Sequence, residues 1–243
     1  MNQLRSELLK LRTTRTTAGL LLVQVAVILL SVLAQGLSVD AAELRKLDPQ
    51  RTLFGSATTA TLFAAFVGML TVTNEFRFGT IRPTLVVEPR RRVVLGAKLV
   101  VSALAGVVFG AVGVGVTFGA ALPVLSGRHV DLALDGGTVA LIVGGTVAAS
   151  ALWALLGVGV GALLRHQIGA IVALVAWSSV VEGVLFAFVP SVGRYLPGQA
   201  ANGLTGAAAK ELLSPGPGAA VLAAWAIALA IAATIRTDRS DVA

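Results

Sequence analysis

The sequence predicts an all-α integral membrane protein with six transmembrane helices, an N-terminal amphipathic interfacial helix and both termini cytoplasmic. Three observations lead there. Hydrophobic residues make up 56% of the 243 and charged residues only 13%, against about 25% charged in soluble domains. The apolar residues come in blocks of about 20, the length that crosses about 30 Å of hydrocarbon. Lysine and arginine are also unevenly divided between the stretches that separate those blocks, which gives the crossings a direction.

The whole chain, 1–243, reads as one transmembrane domain. In residues 1–15, Leu4, Leu8 and Leu11 recur at helical spacing while Arg5, Glu7, Lys10 and Arg12 take other faces. That pattern predicts an amphipathic helix lying on the inner leaflet. These mixed polar residues precede the first apolar run, and no small-residue cleavage site follows it closely, so that run is expected to stay as a helix rather than leave as a signal peptide. The spans are expected at 17–37, 54–74, 93–122, 137–164, 168–189 and 218–235. The third and fourth exceed what a bilayer needs, which predicts tilt or extension past the headgroups. Asp40 and Glu43 stand three apart ahead of Leu44 and Leu47, an aspartate version of the capping box, so a short helix is expected between the first two spans, stopped by Pro49. In the 190–217 loop, Pro190, Pro197, Pro215 and Pro217 surround a helix-prone stretch, 204–213, whose Leu204, Ala208 and Leu212 share a face. It reads either as a segment dipping back toward the membrane or as a plain exposed loop.

Charge sets the orientation. Arg5, Lys10, Arg12, Arg15, Arg77, Arg82, Arg90, Arg91, Arg92, Lys98, Arg165, Arg236 and Arg239, thirteen in all, fall on one side; Arg45, Lys46, Arg51, Arg128, Arg194 and Lys210, six, fall on the other. The richer side is cytoplasmic by the positive-inside rule, and two cytoplasmic termini require an even number of spans. The net charge of +7 sits at span ends, where lipid headgroups lie, which favours membrane lipids over nucleic acid as the partner of the basic residues.

Several chemistries are excluded. With no cysteine there are no disulfides, thiolate metal sites or cysteine nucleophiles. No G-x-x-x-x-G-K-[ST] phosphate loop occurs, and the glycines around Gly113 and Gly159 lie inside apolar spans. His129 and His166 are the only histidines and fall on opposite sides of the expected topology, so they cannot form a metal site or a paired base. No catalytic residue, metal or cofactor is expected in this chain.

The stretch 75–92 is neither a lipid-facing run nor a polar turn. Phe76, Phe78, Ile81, Leu85 and Val86 are large apolar groups in an aqueous loop, which points to a protein partner that buries them. Glu75, Gly79, Thr80, Leu85, Pro89 and Arg90, followed by Gly96, Ala97 and Lys98 at the start of the next span, make this segment resemble the first intracellular loop of the membrane subunits of type 2 ATP-binding cassette (ABC) exporters. Pro83 departs from the pattern, since it interrupts what that family builds as a short helix. The resemblance implies a permease subunit of an ABC exporter in the cytoplasmic (plasma) membrane. Half of the translocation pathway would come from this chain and half from a second permease subunit, identical or paralogous. Two copies of a separate nucleotide-binding ATPase subunit, carrying ATP and Mg, would seat the coupling loops. Phe76, Phe78, Ile81 and Leu85 would then be apolar anchors, with Glu75, Arg77 and Arg82 as polar rim contacts; Arg90, Arg91 and Arg92 read more simply as headgroup contacts.

Within the spans, Ser56, Thr59, Phe63, Phe66, Leu70 and Thr73 form a hydroxyl and aromatic stripe on the second span, which reads either as lining of a substrate pathway or as helix packing with local hydroxyl bonds. Glu182 is the one acid deep inside an expected span. It reads either as a group that meets a cationic substrate or a proton, helped by Ser178 and Ser179, or as a buried hydrogen-bonding group at a helix contact. The first possibility leaves open a secondary transporter or channel that needs no ATPase; a membrane anchor or assembly subunit is a third class. Gly106 and Gly110, Gly115 and Gly119, and Gly157 and Gly161 are pairs four apart that permit close helix approach. Trp153, Trp177 and Trp225 read as packing or interfacial anchors.

Overall fold

The computed structural model describes residues 2–209 and 211–239, apart from the side chains of Asn2, Leu85, Asp238 and Arg239. Lys210 and the side chains of Leu85 and Arg239, used in the readings above, lie outside the described residues. Six helical segments are long and apolar enough to cross a membrane, and no strand occurs among the described residues. Helix α1 (Asn2–Thr13) precedes the first span, α2 (Arg15–Ser38). Two short helices, α3 (Ala41–Leu44) and α4 (Leu47–Gly55), lead through a 3₁₀ turn into α5 (Ala60–Arg77), and α4 to α5 together form the second span, Leu47–Arg77. Helix α6 (Ile81–Val87) fills the next loop; α7 (Arg91–Gly127) and α8 (Gly136–Leu164) are the third and fourth spans. The fifth span is α9 (Gln167–Ala176), a π turn (Trp177–Val181) and α10 (Glu182–Phe188). Short α11 (Pro190–Gly193) and α12 (Pro197–Leu204) precede the sixth span, α13 (Pro215–Arg239).

Membrane helices gain little from apolar burial against one another, so close packing must supply their association. The second span is the most enclosed, two-thirds of its apolar window buried, against 11% in the fifth span and 17% in the first. It crosses α8 backbone to backbone. A Cβ on Gly68 would stand 1.9 Å from the Ala154 carbonyl oxygen and one on Gly157 would stand 2.0 Å from that of Ala65. Gly106 and Gly110 bring α7 against α8 in the same way, at Ser150, Ala151 and Val147. Gly115 and Gly119 face open space, so the shared four-residue spacing marks a contact in two of the three pairs only. Helix α2 attaches by one seam, burying Gln24, Ile28, Val32 and Gly36 at intervals of four.

Three local expectations are corrected. Pro49 does not end a helix. It sits in the first turn of α4, where a backbone N–H has no intrahelical partner to lose, so it starts the helical entry into the second span. Asp40 makes no side-chain capping bond, and Glu43 instead pairs with Lys46 at 2.6 Å. In the 190–217 loop the longer helix is Pro197–Leu204, one turn and more ahead of the 204–213 stretch, because Pro197 pre-sets its first turn and Gly206, at φ +67°, ends it. This loop packs back on the bundle: Ala200 and Ala201 are buried in one core with Trp153, Leu222 and Ala226.

Helix α7, at 37 residues, is about 55 Å long at 1.5 Å per residue, so it passes beyond the hydrocarbon as its length implied. Helix α8 begins at a true cap. The Asp135 carboxylate accepts from the Gly137 N–H at 3.0 Å and from the Thr138 N–H at 3.4 Å. The Thr138 hydroxyl and these amides hold the Asp135 carboxyl below its ordinary value of 3.8. A depressed carboxyl stabilises the fold above its unfolded value and loses that contribution as pH falls through the folded one. Asp135→Ala is therefore expected to lower the thermal midpoint at neutral pH, and the gap to the wild type should close on acidification below the carboxylate range. A gap that persists unchanged in acid contradicts this role.

Candidate functional site

The contacts Arg77 to Gln167, at 2.8 Å, and Arg91 to the Thr237 carbonyl, at 2.8 Å, gather the loop after α5, the α8–α9 turn and the end of α13 at one end of the bundle. At that end four charged side chains meet. Lys98 of α7 lies 2.9 Å from Glu7 of α1, 2.9 Å from Glu75 of α5 and 2.8 Å from the Thr71 carbonyl. Lys10 of α1 closes the group at 2.6 Å from Glu7 and 2.7 Å from Glu75. Glu7, Glu75 and Lys98 are each no more than 5% exposed, whereas Lys10 is 43% exposed. Two acids and two lysines balance, which is how buried charge becomes tolerable. For Lys10, burial works against the charge, but hydrogen bonds to Glu7 and Glu75 outweigh it and raise its pKa; its share of stability is thus lost only as pH climbs through that raised value.

Helix α1 owes its place to this group. Glu7 is its buried residue, while Leu4, Leu8 and Leu9 are 41–53% exposed. Leu11 packs onto the Phe63 and Phe109 core, while Leu4, Leu8 and Leu9 are turned away from the bundle and the acid is turned inward. Between α1 and the loop runs a groove of about 440 Å³, with Glu7, Lys10 and Glu75 along its base and Phe78 and Pro83 in its wall.

The loop 78–90 is built directly on this group. Gly79, at φ +68°, makes the turn that ends α5, a conformation open to glycine. Thr80 stands just before α6 without a side-chain capping bond, and Pro83 is accommodated in the first turn of Ile81–Val87, so the helix forms where an interruption was expected. Phe78 is 67% exposed, Val86 80% and Val87 82%, and Arg77 lies 5.2 Å over the Phe78 ring. Phe76 turns the other way, onto Val72, Leu95, Val158 and Ala162, with Arg165 5.1 Å over its ring. Ile81 and Phe76 line a small cavity together. Thr80, Arg82 and Pro89 are exposed.

The residues weighed as a substrate pathway do not come together. Ser56 is buried and lies 3.0 Å from Gln35 and 3.3 Å from Ser31 of α2. Phe63 is buried against Phe109, with Phe66 at its edge, and Thr73 returns its hydroxyl to the Met69 carbonyl at 3.1 Å; Thr59 is half-buried. Ser178 donates to the Val175 carbonyl at 3.4 Å and Ser179 is exposed, so neither serves Glu182. The π turn just before Glu182 widens the helix and carries Ser179 off its face. Glu182 is fully buried, and its Oε2 accepts the Gly198 N–H at 2.6 Å, at the start of α12. A carboxylate suits that position, where helix N–H groups are unpaired and the dipole is positive. A Cβ on residue 198 would stand 2.5 Å from that oxygen, so a larger residue there would push the carboxylate end aside.

Glu7 and Lys10 are the functional candidates that sequence reasoning missed. Their spacing of three is an ordinary helix-surface pair, and nothing local tells that Glu75 and Lys98 complete it from 65 and 91 residues away. The fold and site define a multi-pass helical membrane protein with a buried ion group under an exposed apolar loop. No family model matches the chain, and no curated protein matches it.

Proposed function

We propose that this chain is the permease subunit of an ABC exporter in the cytoplasmic membrane, forming half of a translocation pathway with a second permease and driven by two separate ATPase subunits that hold ATP and Mg. The observation that carries this reading is the exposed apolar surface of Phe78, at the end of α5, and of Val86 and Val87 on α6, in a loop whose Phe78 and Pro83 share a groove with Glu7, Lys10 and Glu75 of the ion group. An exposed apolar surface of this kind, outside the spans, fits a protein partner. The ion group gives its movement a route: force on α6 passes through Glu75 to Lys98 on the third span and to Glu7 on α1. The end of the bundle that carries α6 is then the cytoplasmic end. Glu182 acts, on this reading, as the cap that holds α12 against the fifth span, and not as an ion carrier.

Phe78→Asp tests it. Phe78 is mostly exposed, so the variant should fold with an unchanged thermal midpoint, yet lose co-purification with the ATPase subunit and the transport-coupled part of its ATP hydrolysis. Normal coupling in that variant would sink the proposal.

A further inference from the structure

Three spans end together at the surface that carries α6. Helix α7 begins at Arg91, α8 closes at Arg165 and α13 runs out past Arg236. Arg165 follows α8 at φ +56°, in the left-handed region that suits glycine and costs other residues energy. Its guanidinium lies 5.1 Å over the Phe76 ring and donates to the Arg236 carbonyl at 3.4 Å. Arg91 donates to the Thr237 carbonyl at 2.8 Å. These bonds anchor both guanidiniums at the carbonyl end of α13 without neutralising them, since a carbonyl carries no net charge.

Arg91 and Arg165 line one cleft of about 40 Å³ with Thr237. Its other walls are apolar save for Lys98, which gives its charge to Glu7 and Glu75. Among the described residues no acid lines the cleft. Burial first, and then the charges of Arg236 and Arg91, lower the pKa of Arg165, so like charges press on one another here. The sequence does not balance them. Residues 88–92, 165 and 236–241 hold six arginines against three acids, Glu88, Asp238 and Asp241, and Glu88 is already taken by Arg90 at 2.9 Å. The group stays cationic with every acid paired.

From arginines of three spans gathered around one acid-free cleft, we infer a binding site for a single phosphate group, carried by an anionic lipid headgroup or free in solution. Guanidinium forks match phosphate oxygens and give up their water readily. The tetrahedral oxygens meet donors arriving from α7, α8 and α13, which the two oxygens of a planar carboxylate do less well. A water takes about 10–15 Å³, so the cleft admits one or two phosphate oxygens while the rest of the group stays at the mouth beside the exposed Arg236. The span ends place that mouth at headgroup depth, where basic pockets between helices hold such groups. The site lies within one chain and requires neither an ATPase nor a second copy, so it stands or falls apart from the transport reading.

The test titrates the full chain in detergent, without any ATPase, and counts bound molecules by native mass spectrometry. Phosphatidylglycerol is the lipid probe, diacylglycerol with the same acyl chains is the probe without phosphate, and inorganic phosphate is the free source. The first phosphatidylglycerol is expected to bind well ahead of diacylglycerol. Arg165→Gly keeps a backbone that glycine adopts freely but removes the guanidinium, and should weaken that lipid about ten- to hundredfold, the worth of one charged hydrogen bond. Arg82→Gln removes an exposed arginine of α6 outside the cleft and should leave the affinity unchanged. Inorganic phosphate that displaces the lipid at millimolar concentration assigns the site to free phosphate; lipid binding indifferent to it assigns the site to a headgroup. Equal retention of diacylglycerol overturns the phosphate, and equal losses in Arg165→Gly and Arg82→Gln overturn the site in favour of diffuse surface charge. Where Arg165→Gly fails to fold, Arg236→Gln decides, because that side chain is exposed: a several-fold loss of phosphatidylglycerol is expected, and unchanged affinity overturns the inference.

Discussion

Replacing Lys98 by methionine is expected to cost about 3–5 kcal/mol of stability, the penalty for leaving buried charge without its partner. The lysine faces two carboxylates, Glu7 and Glu75, and all three side chains are at most 5% exposed. Removing it leaves two acids with Lys10 alone, a buried net charge of minus one. The Lys98→Met/Glu7→Gln double variant restores neutrality and should recover much of the lost thermal midpoint, a coupling that a purely steric role for Lys98 would not produce. Lys10→Met also leaves two acids with one lysine, but that lysine is 43% exposed, so water can take its place beside the acids and the cost should be smaller than at Lys98. Thermal unfolding in detergent, followed by size-exclusion chromatography, measures all three. A double variant no better than Lys98→Met contradicts the account of the ion group.

The second large effect belongs to the crossing of the second and fourth spans. Gly157→Ala should cost at least the upper part of about 1–3 kcal/mol that overpacking ordinarily costs. Its new carbon would lie 2.0 Å from the Ala65 carbonyl oxygen, and backbone cannot step aside as a side chain can. Gly157→Leu should prevent recovery of folded protein. Gly68→Ala meets the same obstacle at the Ala154 oxygen, 1.9 Å away. Gly115→Ala and Gly119→Ala face open space and should change stability by less than about 0.5 kcal/mol. Equal effects at Gly115 and Gly157 would contradict the packing.

What the sequence made legible follows from the range of each signal. Span number and approximate ends came from apolar length, and the observed spans Arg15–Ser38, Gly136–Leu164 and Gln167–Phe188 lie within a few residues of expectation. Spacing alone could not separate Gly106 from Gly115, since partners on another helix decide which glycine is a contact. Glu75 and Lys98 stood out through their loop, but Glu7 looked like an ordinary surface acid of an amphipathic helix. The Glu182 surroundings were illegible for two physical reasons: a π turn shifts the helical register just ahead of it, and its partner, the Gly198 amide, belongs to a short helix folded back from the next loop. Proline was misleading at Pro49 and Pro83, because both fall in first turns, where proline costs no hydrogen bond.

The central claim is that these six spans are driven through the α6 surface by a separate ATPase. Reconstitution in proteoliposomes, with and without the proposed nucleotide-binding subunit, tests it most directly. The account predicts substrate flux only with that subunit, ATP and Mg together, and loss of the flux in Phe78→Asp. Flux driven by a pH gradient through this chain alone would contradict it.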